Sequence, residues 1–429
     1  EMTSSLVGSE MCIRDSHINT LWFYLYPYIV ISEDLDNYLF YNTSTYNGLS
    51  FEKKKTINPI VEQLQDIEKL YSVKIDVKDL EDDFLYNFVK TIQAYGYGDI
   101  IEGDLEKPII MPPILNLQRG VERLKENKSP ISENILSYLH GVEVYINGNC
   151  TFDCQHCRDR FKQYLCCTKS ANVLDPVLLK NFLFSIYYTG AEITLSGGNI
   201  FQYKELENLL PILEGIDATH TLVSDWRNIP EDLSLLNKIT KKSFRLKVLV
   251  NEPTDIFPVI VLAQRIKDLQ IKQCWVISIT SFPEYEKAEA LSESLSELVD
   301  DVTIRPFYTG ENIAFFEECI FIDQEELDNI ELDRQGVFAL QALNTNNFGK
   351  ITILSDGNVY ANVNEKSLGH IQDPIKKMLC EELEKGTSWR RTRYDLAPCS
   401  QCRYKLICPS PSNYELAIGK NNLCHINPL

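Results

Sequence analysis

The sequence predicts an α/β fold in which six strands alternate with helices and curve into a partial (β/α)6 barrel. Apolar strand-like runs recur through the middle of the chain, and the segments between them have the apolar spacing of helices. Such alternation favours a parallel sheet with right-handed crossovers. The six runs are GVEVYI, EITLS, HTLVS, RLKVLV, WVISIT and VTIRPF.

The remaining elements suggest further domains around this barrel. We expect a tail at residues 1–18, an N-terminal α+β domain at 19–135, the barrel at 136–312, a helical linker at 313–345 and a cysteine-rich extension at 346–429. The tail is set aside, because SLVGSEMCIRDS resembles a translated sequencing adapter.

The N-terminal domain begins with two strand-like runs, WFYLYPYIVISE and NYLFYNTST, separated by the acidic turn EDLDN. Two helical stretches follow, and the second ends at Gly96. In the barrel region, the best-marked helix has Asp175 as its N-cap and Pro176 at its first position. An Asp356-Gly357 turn predicts a hairpin at the start of the extension.

Charge and cysteine usage restrict the partners and the compartment. The chain has 429 residues and a formal charge of −19, which argues against a nucleic-acid partner or an anionic membrane. Seven of the thirteen cysteines form two tight sets, which favours shared metal sites over disulfides and predicts a reducing cytoplasm. The apolar run LWFYLYPYIVIS is too short to span a bilayer, and no basic segment precedes it as in a signal peptide.

The first cysteine set, Cys150, Cys154 and Cys157, follows the first barrel strand directly. Three thiolates on one loop can hold an iron–sulfur cluster with one iron left open. A structural zinc site would need a fourth ligand, and the adjacent His156 is poorly placed for that role. Three ordinary buried thiols are the other alternative. For the neighbouring Cys166 and Cys167 we favour a packing role.

The second cysteine set, Cys399, Cys402, Cys408 and Cys424, has the spacing C-x2-C-x5-C-x15-C. Four thiolates at this spacing suit a zinc ribbon or a fully ligated cluster equally well.

The C-x3-C-x2-C loop resembles that of the radical S-adenosylmethionine (SAM) superfamily. The resemblance implies a [4Fe–4S] cluster whose open iron binds SAM, and one-electron cleavage of SAM to a 5′-deoxyadenosyl radical. The family places an aromatic residue near the adenine, in the slot of His156. It also has a Gly-Gly-Glu stretch after the second strand, where this chain has Gly197, Gly198 and Asn199.

Polar residues at other strand ends complete the predicted SAM site. Ser224 follows the third strand and Asn251 follows the fourth. Both could reach a ligand above the barrel. Each one alone is also compatible with an ordinary loop residue.

The C-terminal extension resembles the SPASM, or twitch-like, domain of peptide maturases. That domain holds two auxiliary clusters with seven cysteines. This chain has Asn362 and Ser412 at two of those positions and no cysteine between 320 and 379. The missing cysteines are those assigned to the first auxiliary cluster, so the resemblance implies one auxiliary [4Fe–4S] cluster on the second cysteine set.

The strings GNVYAN, SWRRTRY and CPSPSNYE are similar to a Bacteroidales group of radical SAM/SPASM proteins associated with natural-product precursors, which includes pseudo-radical-SAM members. The resemblance implies a cytoplasmic enzyme that modifies a ribosomally made precursor peptide by hydrogen abstraction. It also implies a one-electron reductant such as ferredoxin or flavodoxin.

The N-terminal domain looks like a winged-helix peptide-recognition element, to which a leader peptide adds as a strand. The alternative is a structural cap on the barrel. For the whole chain, the alternative to an enzyme is a catalytically silent scaffold that presents the precursor peptide to a partner maturase. Asn199 and the absent first auxiliary site are compatible with that alternative.

Overall fold

The computed structural model describes residues 19–113, 134–152, 154, 157–239, 243–252 and 255–426. The chain forms two compact units. Of the described residues, the first contains 19–113, 324–341 and 399–408, and the second contains those from 134 to 323, from 342 to 398 and from 409 to 426. The predicted tail at 1–18 lies outside the described residues.

The strands are β1 Thr20–Leu25, β2 Ile29–Glu33, β3 Asn37–Asn42, β4 Asn47–Glu52, β5 Ser72–Asp76, β6 Gly98–Glu102, β7 Gly141–Asn147, β8 Glu192–Gly197, β9 His220–Asp225, β10 Phe244–Val250, β11 Lys272–Ile279, β12 Asp301–Pro306, β13 Lys350–Ile353, β14 Asn358–Tyr360 and β15 Gly369–His370.

The helices are α1 Asn58–Gln65, α2 Asp83–Ala94, α3 Cys157–Gln163, α4 Pro176–Ser185, α5 Leu206–Glu214, α6 Ser234–Lys238, α7 Ile256–Asp268, α8 Phe282–Leu295, α9 Ile313–Cys319, α10 Gln324–Asp328, α11 Arg334–Ala342, α12 Ile375–Lys385 and α13 Asn413–Ile418. In the described part of the chain, no helix has the length and apolar character that crossing a bilayer requires.

The first unit contains two three-stranded antiparallel sheets, with strand orders β5-β1-β6 and β2-β3-β4. The first strand-like run of the sequence is therefore two strands rather than one. Pro27 lies between β1 and β2 and has no N–H to donate to a strand ladder. A turn, in which the Ile29 N–H donates to the Tyr26 carbonyl, sends β2 into the second sheet.

Helices α1 and α2 cover the core of the first unit. Asp82 caps α2 by accepting a hydrogen bond from the Leu85 N–H at 2.8 Å. The helix ends at Ala94, and Gly96 has a φ of +70° in the turn that follows. Phe88 of α2 packs edge-on against Phe23 of β1, so the helix fixes this sheet through aromatic contacts.

The second unit contains a nine-stranded sheet of order β12-β11-β10-β9-β8-β7-β13-β14-β15. Strands β7 to β12 are the six strands predicted from the sequence, and each pairs in parallel with the next. Strand β13 adds in parallel to β7 and forms the predicted hairpin with β14 around Gly357, whose φ is +86°. A mixed α/β fold with a mostly parallel sheet is confirmed.

The two faces of this sheet have different chemistry. Every second side chain along a strand faces the helices, as the two-residue strand period requires. Val144, Leu195 and Val248 are examples, and all three are buried in one apolar core. Helix α4 packs on this core, and Asp175 caps it as predicted by accepting from the Val177 N–H at 2.7 Å. The opposite face also carries ionisable side chains, among them Glu143, Lys247 and Arg305.

The three strings near the C-terminus are joined by hydrogen bonds within the second unit. Arg393 of SWRRTRY donates to Glu415 of CPSPSNYE at 2.7 Å, and both side chains are buried, with 6% and 3% exposed. Asn362 of GNVYAN donates to Asn413 at 2.6 Å, and Ser412 caps α13 in a capping box with Glu415. The residues at two of the expected cysteine positions thus take part in a protein hydrogen-bond network.

Replacing Glu415 with glutamine tests this network. The change removes the negative charge that Glu415 places against the buried Arg393 guanidinium, and breaking such a buried pair costs about 3–5 kcal/mol. We expect the free energy of unfolding, measured by urea denaturation, to fall by about this amount.

A matched control is Glu207→Gln. Glu207 pairs with Lys238 at 2.8 Å, but both side chains are more than half exposed, so the expected loss is under about 1 kcal/mol. Equal losses in the two variants would show that the Arg393–Glu415 pair does not stabilise the fold.

Candidate cysteine site at the carboxyl ends of the parallel strands

The first cysteine set lies on the loop between β7 and α3, at the carboxyl end of the first parallel strand. Cys157 is the first residue of α3, and Cys154 and Cys157 are buried. Because β7, β8 and β9 are parallel neighbours, the residues that follow β8 and β9 lie at the same edge of the sheet. Those residues form the rest of the site.

The thiols of this site interact in two groups, one of two cysteines and one of three. Cys150 forms a hydrogen bond with Cys167, Cys154 with Cys157, and Cys157 also with Cys166. The burial of Cys166 and Cys167 agrees with the packing role expected for them. Their contacts also place them beside the thiols of the cysteine loop.

These interactions shift the pKa values of the thiols in opposite directions. The hydrogen bond from Cys167 lowers the pKa of Cys150 well below its usual range, while the same bond raises the pKa of Cys167. The hydrogen bond to Cys157, together with burial, raises the pKa of Cys154. In the iron-free chain, Cys150 is therefore the thiol that most readily forms a thiolate.

A charged group from the end of β9 reaches the cysteine loop. The Arg227 guanidinium forms a two-point ion pair with Asp225, with contacts of 2.9 and 3.0 Å, and donates to the Cys154 Sγ at 2.8 Å. It also lies over the Phe152 ring, 4.5 Å from the ring centre. Asp225 orients the guanidinium, which partly opposes the rise in the Cys154 pKa.

Asn228 connects the cysteine loop to the end of β8. Its Nδ2 lies 3.6 Å from the Cys150 Sγ and 3.2 Å from the Gly198 carbonyl oxygen. Arg227 and Asn228 therefore present N–H groups to two of the three sulfurs. Hydrogen bonds to sulfur tune the stability and potential of thiolate-bound clusters.

Gly197 and Gly198 allow the two strand ends to approach closely. A Cβ on Gly197 would lie 2.2 Å from the Asn147 carbonyl oxygen, and one on Gly198 would lie 1.8 Å from that of Asn149. The chain's own backbone fills this space. The Asn199 N–H donates to the Asn149 carbonyl at 2.6 Å, so the Gly-Gly segment positions the loop that carries Cys150.

The other predicted cofactor contacts have defined partners. The Asn199 Oδ1 accepts from the Phe201 N–H at 3.0 Å. Ser224 Oγ donates to the Asp225 carbonyl at 3.1 Å, and Asn251 Nδ2 donates to the Asp225 carboxylate at 3.1 Å. Ser224 and Asn251 thus meet at Asp225, the residue that orients Arg227. His156 lies outside the described residues.

The donor chemistry of the loop suits an iron–sulfur cluster, because soft thiolates flanked by N–H donors are its usual ligands. Within the described residues, no group of three or more His, Cys, Asp or Glu side chains is arranged to hold a metal ion. A cluster would bind here through the deprotonated thiols, as thiolate ligands of iron.

The second cysteine set is divided between the units. Cys399, Cys402 and Cys408 belong to the first unit, and Cys424 belongs to the second. Within the first unit, Arg403 pairs with Asp34 at 3.2 Å, and Lys405 donates to the Glu33 carbonyl at 3.3 Å. These contacts attach the segment with three of the cysteines to the end of β2.

Sequence reasoning missed Arg227 and Asn228 as members of the site. A signal was present, because "SDWRN" follows the third strand and the carboxyl ends of parallel strands converge. Spacing along the chain does not reveal that Arg227 contacts a sulfur 73 positions earlier.

Neither family models nor curated proteins give a match to this chain. Its fold matches solved structures of SuiB from Streptococcus suis. SuiB bound to its precursor peptide SuiA aligns with a TM-score of 0.50 and 13% identity over 93% of this chain and 97% of SuiB. A second SuiB structure aligns with a TM-score of 0.50 and 14% identity over the same shares. At these identities the likeness establishes a shared fold.

Alkylation of the iron-free protein tests the thiol contacts. Because the Cys150 pKa is lowered, we expect iodoacetamide to modify Cys150 first at pH 7. Cys167→Ala removes the hydrogen-bond donor and raises the Cys150 pKa, so less thiolate is present at pH 7 and the reaction should slow by about tenfold or more. Peptide mass spectrometry measures the rate at each cysteine.

The matched control is Cys166→Ala, because Cys166 contacts Cys157 rather than Cys150. This variant should leave the Cys150 rate unchanged. Equal slowing in both variants, or an ordinary rate at Cys150 in the wild type, would contradict the assignment.

Proposed function

We propose that this protein is a radical SAM enzyme that modifies a ribosomally made precursor peptide. One observation carries the proposal: the C-x3-C-x2-C loop lies at the carboxyl end of the first parallel strand, where Arg227 and Asn228 donate hydrogen bonds to its sulfurs. The shared fold with SuiB supports it, because SuiB has been solved with its precursor peptide.

Cys150, Cys154 and Cys157 would hold the [4Fe–4S] cluster. When bound, such a cluster supplies the electron that cleaves SAM to a 5′-deoxyadenosyl radical, and this radical abstracts a hydrogen atom from the peptide. Arg227 keeps a positive charge against Cys154, since its hydrogen bond with Asp225 raises the Arg227 pKa further. Asn228 holds the Gly198 carbonyl and Cys150 together.

The second cysteine set would hold one auxiliary [4Fe–4S] cluster. With four thiolates this cluster has no open iron, so it would transfer electrons or support the surrounding structure. A one-electron reductant such as ferredoxin or flavodoxin would supply both clusters.

The precursor peptide would add as a strand to the sheet of β2, β3 and β4. Its β2 side packs against the 403–406 turn within the first unit, and β4 forms the opposite edge. Side chains along β4 alternate between more and less exposed positions. Backbone groups at such an edge can bind an extended peptide, and alternate side chains can select its sequence.

Anaerobic reconstitution with iron and sulfide tests the enzymatic proposal. With SAM and dithionite, the wild type should form 5′-deoxyadenosine, and Cys154→Ala should reduce its formation to background because the cluster loses a ligand. Chromatography with mass spectrometry measures the product.

The control is Cys274→Ala, since Cys274 lies within β11 and not in either cysteine set. It should retain activity. If the wild type contains the cluster and still forms no 5′-deoxyadenosine, the scaffold alternative replaces the enzymatic one.

Asn199→Asp tests the position at which the family has glutamate. An aspartate can keep the cap on the Phe201 N–H and adds a charge, which roughly doubles the strength of a hydrogen bond to the SAM ammonium. Equilibrium dialysis of the reconstituted protein should show several-fold tighter SAM binding. Asn237→Asp, at an exposed site, is the charge control; equal effects in the two variants would exclude a contact between residue 199 and SAM.

A further inference from the structure

A cavity of about 300 Å³ lies against the polar face of the nine-stranded sheet. Its wall includes Glu143 from β7, Lys247 from β10, Arg305 from β12 and Lys350 from β13. Four strands of the sheet thus direct ionisable side chains into one space, opposite the face that packs on the helices. A surface built only for packing would be apolar on this side as well.

The cavity has an excess of positive charge. Lys247, Arg305 and Lys350 line it together with one carboxylate, that of Glu143, whereas the chain as a whole carries −19. Among the described residues, neither Lys247 nor Arg305 forms an ion pair. The local field therefore favours an anion.

Arg305 is held in place by aromatic residues rather than by a counter-charge. Its Nε donates to the Tyr414 hydroxyl at 3.3 Å, and its guanidinium lies over the Tyr164 ring, 5.0 Å from the centre. Most of its N–H groups thus remain available to a ligand. A guanidinium fixed in this way is suited to a carboxylate.

Glu143 and Lys247 of the cavity wall are both half-buried. Glu143 accepts a hydrogen bond from Thr352 Oγ1 at 3.2 Å, and burial raises the pKa of Glu143. Burial lowers the pKa of Lys247. Both residues are half-buried, and partial burial strengthens the interaction of a charged group with a bound ion.

The cavity is also connected to the cysteine loop. Helix α3 begins at Cys157 and contributes Phe161 and Gln163 to the cavity wall. The Phe161 ring packs edge-on against Tyr145 of β7. A group bound in the cavity therefore lies under the helix that carries the third cysteine.

We propose that this cavity binds the carboxylate side chain of a glutamate or aspartate in the substrate peptide, through Lys247 and Arg305. The inference rests on the proposed function for the identity of its ligand, a peptide. It adds the class of side chain that the site selects, and so predicts an acidic residue at or beside the modified position.

Binding of short model peptides to the full-length protein tests this inference. The probes are acetyl-Gly-Gly-Glu-Gly-Gly-amide and its counterparts with glutamine or lysine at the centre. We expect the glutamate peptide to bind about tenfold more tightly than the glutamine peptide, because each charge-assisted hydrogen bond favours the carboxylate. Isothermal titration calorimetry or saturation-transfer NMR measures the preference.

Three variants assign the preference to the cavity. Lys247→Met and Arg305→Gln should each lower the preference for the glutamate peptide over the glutamine peptide severalfold. Glu143→Gln should raise this preference, because it removes a negative charge that repels the carboxylate of the peptide. Lys238→Met is the matched control, since Lys238 is exposed and pairs with Glu207 away from the cavity; its preference should equal that of the wild type. Circular dichroism confirms that each variant is folded, and Glu143→Gln decides the case if the others are not.

The inference is overturned if the glutamine or lysine peptide binds as tightly as the glutamate peptide, or if Glu143→Gln weakens binding of the glutamate peptide. Displacement of that peptide by SAM would assign the cations to the SAM carboxylate instead, which also overturns it. These measurements do not depend on turnover. A protein that selects the acidic peptide and forms no 5′-deoxyadenosine would leave the cavity inference intact and refute the enzymatic proposal.

Discussion

Parallel pairing of β7 to β12 is the constraint on which the rest of the second unit depends. It brings the carboxyl ends of six strands to one edge of the sheet, so residues far apart in sequence become neighbours there. The two-residue period of each strand then divides the side chains between an apolar face, which packs on the helices, and a polar face. The cysteine site occupies the edge and the charged cavity occupies the polar face.

At that edge, the cysteine loop is held by residues of the neighbouring strands rather than by its own short sequence. Asp225 fixes Arg227, and Arg227 donates to Cys154. Asn228 spans Cys150 and the Gly198 carbonyl. Groups that orient ligands are often as important to a metal site as the ligands themselves, so we expect the properties of the site to depend on Asp225 and Arg227 as well as on the cysteines.

Much of the second unit could be predicted from the sequence because its signals are local. All six strands are short runs rich in apolar residues, and the cap at Asp175 and the turn at Gly357 depend only on neighbouring residues. Pro27 marks the break between β1 and β2, but the strand-like run continues on both sides of the proline. The run therefore reads as one strand in the sequence. One residue decides the boundary between two strands of different sheets.

The features that could not be predicted are contacts over long distances along the chain. Nothing local pairs Arg393 with Glu415, or joins Cys150 to Cys167. The Gly-Gly pair suggests space for a ligand, whereas the backbone of Asn147 and Asn149 occupies that space. A sequence pattern identifies residues that permit close approach, and only the packed structure shows what approaches them.

The proposed radical SAM activity requires that the first cysteine set bind an iron–sulfur cluster with one open iron. Electron paramagnetic resonance of the anaerobically purified, dithionite-reduced protein, recorded with and without SAM, is the decisive measurement. We expect a reduced cluster whose spectrum changes when SAM is added, and loss of that change in a variant lacking Cys150, Cys154 and Cys157. Protein that contains zinc in place of iron, or a spectrum that SAM does not alter, would contradict this requirement.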